Sequence, residues 1–103
     1  MKIKIRVSKQ NVTFFLNGEE KPLKLMFKEI LPDDIQVIWK DETSTNLQIY
    51  LKVGPHKSKL YDLATISNAF LNASEIKEIF LQYLNDMINW YDNIPVSSVE
   101  FEI

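Results

Sequence analysis

Cysteine is absent from the 103 residues, histidine and arginine occur once each, and glycine occurs twice. Each scarcity removes a class of chemistry. Without cysteine there is no disulfide framework, no thiolate zinc site and no cysteine nucleophile. A lone imidazole, His56, cannot supply the several ligands that a zinc centre needs. Gly18 and Gly54 lie far apart, and neither sits in a glycine-rich loop of the kind that cradles phosphate. No run approaches the roughly 20 apolar residues that span a bilayer. Residues 1–6 alternate charge with apolar side chains and offer no signal-peptide core. A cytoplasmic protein with no membrane segment is the expectation.

What is present describes a folded domain. Apolar residues make up 46% of the chain, aromatic residues 12% and charged residues 25%, the profile of a globular protein rather than a disordered one. The length supports one domain over 1–103, with a core large enough to fold without staples. Lysine outnumbers arginine 11 to 1, and isoleucine and asparagine exceed alanine, which is the imprint of A/T-rich codons and points to a bacterial or phage source. The same bias leaves Arg6 as the only side chain suited to bidentate phosphate or guanine recognition.

Residues 2–7 set Ile3, Ile5 and Val7 against Lys2, Lys4 and Arg6, the period-two pattern of a half-buried strand. Val12, Phe14 and Leu16 repeat it after a polar turn, which predicts a first hairpin. Asn17-Gly18 is a type I′ hairpin signal that would make 19–27 a strand. Leu23, Met26, Phe27, Ile30 and Leu31 instead fall at helical spacing, with Pro22 before them and Pro32 after. A helix over 22–31 is the reading adopted. Ile35, Val37 and Trp39, then Leu47, Ile49, Leu51 and Val53, predict a second hairpin across the polar loop 41–46. Leu60, Leu63, Ala64, Phe70 and Leu71 suggest a helix over 58–71. Asn72 with Glu75 forms a capping box for a long amphipathic helix that ends near Asn93 and Pro95. Val99, Phe101 and Ile103 alternate with Glu100 and Glu102 as a closing strand. The order ββαββααβ predicts an α+β fold, a mostly antiparallel sheet of about five strands packed on a C-terminal helix pair. Lys2, Lys4 and Arg6 complement Glu100 and Glu102, so the first and last strands are expected to be neighbours.

Catalytic groups are sparse. His56 in Gly54-Pro55-His56-Lys57-Ser58 lacks the spacing of a nucleophile–base–carboxylate constellation and reads as a loop residue. Asp33-Asp34 and Asp41-Glu42 do not form a calcium-loop array, and solvated turns explain them. Residues 1–40 carry a balance of +3 and residues 41–103 one of −5, too modest a positive field for a dedicated nucleic-acid binder. No catalytic residue, metal or cofactor is expected, and binding is what remains.

The informative excess is apolar. With Ile3, Ile5, Val7, Phe14, Leu16, Val37, Trp39, Ile49, Leu51, Phe101 and Ile103 on the inward sheet face, Phe15, Ile38 and Tyr50 fall on the other. They lie among Thr13, Gln36, Lys40, Gln48 and Lys52, and Trp90 falls off the main stripe of the long helix. An aromatic patch with a polar rim is the anatomy of a protein-binding surface. The alternative is that the 22–31 helix covers Phe15, Ile38 and Tyr50 as a second small core. The expectation is a non-enzymatic protein that binds another protein through Phe15, Ile38, Tyr50 and Trp90, with the acidic helix face steering a basic partner. By analogy of size and composition, such a chain could be an immunity protein or a phage-encoded inhibitor of a bacterial enzyme. A nucleic-acid-binding accessory protein and a homo-oligomeric structural module are the rivals.

Overall fold

The alternation of Ile3, Ile5 and Val7 with Lys4 and Arg6 becomes strand β1 (Ile3–Val7), paired antiparallel with β2 (Val12–Leu16) from Ile3 opposite Leu16 to Val7 opposite Val12. The computed structural model describes residues 1–9, 11–40, 48–68, 70–95 and 99–103. Asn17 and Gly18 both take left-handed backbone, φ +52° and +85°, as a type I′ turn demands. They feed a three-residue strand β3 (Glu19–Lys21). Pro22 then follows as the N-cap of α1 (Leu23–Ile30). The strand and helix signals in this stretch are therefore successive, not exclusive. Proline lacks the N–H that would extend the ladder, and its fixed φ suits a helix start. Glu19 and Glu20 consequently lie in the strand, and Lys21 Nζ reaches Glu29 at 2.6 Å to tie strand to helix.

The second hairpin pairs β4 (Gln36–Trp39) with β5 (Gln48–Val53), Gln36 opposite Lys52 and Trp39 opposite Ile49. The polar loop expected at 41–46 lies outside the described residues. Beyond the turn at Gly54, where φ is +57°, two short strands share the other edge of β5. β6 (His56–Lys57) pairs with its end and β7 (Tyr61–Asp62) with its beginning.

The helix expected over 58–71 is not formed among the described residues of that span, so the pair of C-terminal helices reduces to one. Ser58 continues the β5 contact instead: its N–H donates to the Leu51 carbonyl at 2.9 Å, and its Oγ accepts from the Leu51 N–H at 2.8 Å. Asp62 Oδ1 then accepts from the Ala64 N–H, and Asn68 Oδ1 from the Phe70 N–H, each at 3.0 Å. Such side chains offer the backbone partners that compete with helical bonds. The buried set is Tyr61, Leu63 and Ile66, while Leu60 and Phe70 are exposed. The spacing that suggested a helix thus mixed inward and outward positions.

The long helix is α2 (Ala73–Asp92). Asn72 Oδ1 accepts from the Glu75 N–H at 2.9 Å, and the Glu75 carboxylate accepts from the Asn72 N–H at 3.5 Å, closing the capping box. Asn72→Ala is expected to destabilise the protein by about 1 kcal/mol, the usual cost of an emptied N-cap, read as a lower midpoint in urea with an unchanged slope.

Two sheets replace the single sheet of about five strands: β1-β2-β3, and a four-stranded sheet of β4 to β7 centred on β5. Helix α1 intervenes in the chain between the two ladders and packs against both β2 and β4. One core nevertheless serves both sheets. It joins Phe14 and Leu16 of the first, Ile49 and Leu51 of the second, Met26 and Phe27 of α1, and Ile76, Phe80 and Met87 of α2. Phe80 stacks on Phe27 at 5.1 Å between ring centres and on Phe14 at 6.1 Å.

The closing strand is the remaining correction. Residues 99–103 form no strand, and Val99, Phe101 and Ile103 are 84%, 75% and 118% exposed, so Phe101 and Ile103 leave the expected inward face. Among the described residues β1 pairs with β2 alone, and the expected ladder between first and last strands within the chain is not formed. Alternation specifies which faces a strand would have, but not that a partner edge lies within reach.

Candidate interaction surface

Strand parity decides which side chains share the outer face of the second sheet. Ile49 and Leu51 point into the core, so Gln48, Tyr50 and Lys52 point away from it. Ile38 lies directly opposite Tyr50. Both are half-exposed and stand outside the core cluster. Phe15 is also half-exposed but belongs to the other sheet, with Lys4 Nζ 5.6 Å from its ring centre. Trp90 is half-buried and packs against the core, bordering a depression of about 230 Å³ with Lys59, Tyr61, Asp86 and Asn89. The structure therefore joins Ile38 to Tyr50 as a pair and places Phe15 and Trp90 on other elements. Helix α1 does not form a second small core over the patch, since its Leu23, Met26 and Phe27 enter the main cluster.

Lysines frame the Ile38–Tyr50 pair. Lys57 Nζ stands 5.9 Å from the Tyr50 ring centre, within cation–π range. Lys40, Tyr50, Lys57, Ser58 and the exposed Leu60 line a shallow basin of about 310 Å³. Lys52 lies directly across the ladder from Lys57. Like charges in that position repel and weaken the sheet. Among the described residues the ion pairs engage Lys21 and Lys59, and none engages Lys40, Lys52 or Lys57. Lys40 and Lys52 were legible as rim residues from strand alternation. Lys57 was not, because β6 is two residues long and carries no period, and Leu60 was not, because its spacing had assigned it to the apolar face of the helix expected over 58–71.

A polar cluster lies where residues 59–62 meet α2. The Tyr61 hydroxyl donates to Asp86 Oδ2 at 2.8 Å, Lys59 Nζ approaches the same oxygen at 3.0 Å, and the Tyr83 hydroxyl donates to the Asp62 carbonyl at 3.1 Å. Hydrogen bonds from Lys59 and then Tyr61 hold the Asp86 carboxyl below its ordinary value. Burial, reinforced by the bond to Asp86, pushes the Tyr61 phenol well above the ordinary tyrosine value of 10.0. Since the folded phenol keeps its proton where the unfolded one loses it, this contribution is complete below pH 10 and fades as pH rises through the folded value. In a spectrophotometric titration just above pH 10, Tyr61→Phe should leave the tyrosinate signal of the folded protein unchanged. A reduced signal in the variant would contradict the assignment. The cluster holds a strand to a helix, and its groups are committed to one another.

Asp41-Glu42 lie outside the described residues, while Ser58 and Asp34 serve the fold. The Ser58 hydroxyl accepts from Leu51 and donates to the Lys59 carbonyl at 2.8 Å, so it is a backbone anchor. Asp34 accepts from the Tyr91 hydroxyl at 2.8 Å, linking the turn after α1 to α2. His56 faces Val53 across the ladder. Among the described residues, no group of three acidic, histidine or cysteine side chains could hold a metal ion, and no helix is long and apolar enough to cross a membrane. A cleft of about 460 Å³ opens between the first sheet and Trp39, but its floor is Phe14, Leu23 and Leu63 of the core. No protein-family model matches the chain, and neither a curated protein nor a solved structure matches it.

Proposed function

We propose that this is a non-enzymatic protein that acts by binding another protein through the outer face of its second sheet, with Tyr50 and Ile38 at the centre and Lys40, Lys52 and Lys57 around them. The observation that carries this reading is the Lys52–Lys57 pair directly across the ladder from one another beside a half-exposed tyrosine. Repulsion between them is a local cost to the sheet, and a carboxylate supplied by a partner would relieve it. The partner's contact surface is therefore apolar at its centre and acidic at its rim. That reverses the sign expected from the acidic helix face. Its mode of action would be occlusion, which needs a complementary surface and no reactive group.

Lys52→Glu is the variant that separates this reading from a merely structural one. It places opposite charges across the ladder, so stability should hold or rise by about 0.2–1 kcal/mol. Capture of the partner from the native host should fall at the same time, as measured by quantitative affinity purification against wild type. A variant that is at least as stable and captures the same proteins equally well would contradict the proposal.

The same lysines and aromatic ring favour one second reading, a nucleic-acid-binding accessory protein, since exposed aromatics and cations form stacking platforms. Single-stranded DNA or RNA bound in low salt and released steeply between about 50 and about 200 mM would favour it over protein binding.

A further inference from the structure

The open edge of β1 and the exposed segment 99–103 are complementary in both pattern and charge. Asn17 N–H donates to the Lys2 carbonyl and Ser8 N–H to the Asn11 carbonyl, each at 2.8 Å. With antiparallel alternation, Lys4 and Arg6 then direct their backbone groups toward β2. The N–H and C=O groups of Ile3, Ile5 and Val7 face the open edge, which has no ladder partner among the described residues. Such an edge is a template for another strand.

Residues 99–103 have the composition of that missing strand. Laid antiparallel, they put Glu100 opposite Arg6, Phe101 opposite Ile5 and Glu102 opposite Lys4, so both charges and the apolar face match in one register. Three large apolar side chains otherwise stand in solvent at 75% exposure or more.

We propose that residues 99–103 of one copy add as an edge strand to β1 of a second copy, and that the second copy returns the same contact. The exchange is two-fold and self-complementary, so it closes at a dimer. Each copy covers the open edge of the other and buries its own Phe101 beside the other's Ile5. The surface lies on the first sheet and leaves the Ile38–Tyr50 face free.

Charge reversal tests it. Light scattering should give wild type twice the 12.1 kDa chain mass. Lys4→Glu with Arg6→Glu, and separately Glu100→Lys with Glu102→Lys, should each give the single-chain mass with an unchanged far-ultraviolet circular dichroism spectrum. An equimolar mixture of the two variants should return to the double mass, because each segment then meets an oppositely charged edge on the other chain. Truncation before Val99 should give the single-chain mass even if a charge variant fails to fold. Wild type at the single-chain mass at its highest soluble concentration would overturn the proposal. So would variants or a truncation that remain dimeric, or a mixture that stays at the single-chain mass.

Discussion

Phe80→Ala should be the most damaging single substitution, lowering stability by about 3–5 kcal/mol. Phe80 is 1% exposed and its ring stacks on Phe14 of β2 and on Phe27 of α1. It therefore joins α2 to the first sheet and to the short helix, two elements from which it is separated by more than 40 residues of chain. Removing the ring loses the transfer free energy of a buried aromatic and leaves a void beside Phe14 and Phe27 that closes only if their elements move. It also loses two aromatic pairs worth about 0.5–1.5 kcal/mol each beyond burial. A domain of this length has about 5–15 kcal/mol in total, and each kilocalorie shifts the midpoint by about 4–8 °C. The expected outcome is a loss of well over 10 °C by calorimetry, or a chain already unfolded at physiological temperature. A fall of only a few degrees would show that Phe80 does not join the sheet to the helices.

The second large effect concerns binding. Tyr50→Ala should weaken the complex with the captured partner by about 2 kcal/mol or more, roughly thirtyfold in Kd by calorimetry, with little change in thermal midpoint. Tyrosine carries such energies because it supplies a large, rigid apolar surface with one polar end. Here it sits in a basin with Leu60 at one side, its ring against Lys57 and its backbone fixed in the central strand β5. Its side chain is half-exposed and outside the core, which is why truncation should spare the fold. Ile38→Ala, directly opposite, should weaken binding by a smaller amount because it removes less area. Phe15→Ala, on the other sheet, should leave this complex unchanged. Equal losses from Tyr50→Ala and Phe15→Ala would instead point to a partner that spans both sheets.

The sequence carried the longer elements and missed the shorter ones for a single physical reason. Period-two alternation needs about four residues to register, so β1, β2, β4 and β5 were legible. The capping box at Asn72 and Glu75 located the start of α2, because two reciprocal hydrogen bonds depend on those residue types at that spacing. Strands of two or three residues have no period to read. β3 was signalled by Asn17-Gly18 but set aside for the helical spacing that begins at Leu23, and β6 and β7 were hidden inside a stretch whose apolar residues happen to fall three and four apart. Tyr61 is buried by pairing with Ile49, a contact set by β5 and invisible in the residues around it.

Tertiary choices were less legible still. Nothing in the alternation distinguished two sheets sharing a core from one sheet of about five strands, since both bury the same faces. The complementary charges of Lys4 and Arg6 with Glu100 and Glu102 indicated which segments could pair, but not whether the chain brings them together within one molecule. The candidate surface was read in the same partial way. Ile38 and Tyr50 were assigned to one face by parity and are cross-strand neighbours. Trp90 was set apart because it falls off the helical stripe, yet it is half-buried and packs on the core beside Tyr91.

The most direct test of the interaction surface is an amide footprint of the protein with its captured partner, by chemical-shift perturbation and hydrogen exchange together. The account predicts perturbation concentrated on β4, β5 and β6, with the amides of Ile38, Tyr50, Lys52 and Lys57 among the most affected and the exposed face of α2 unchanged. A footprint centred on α2, with β5 untouched, would contradict it.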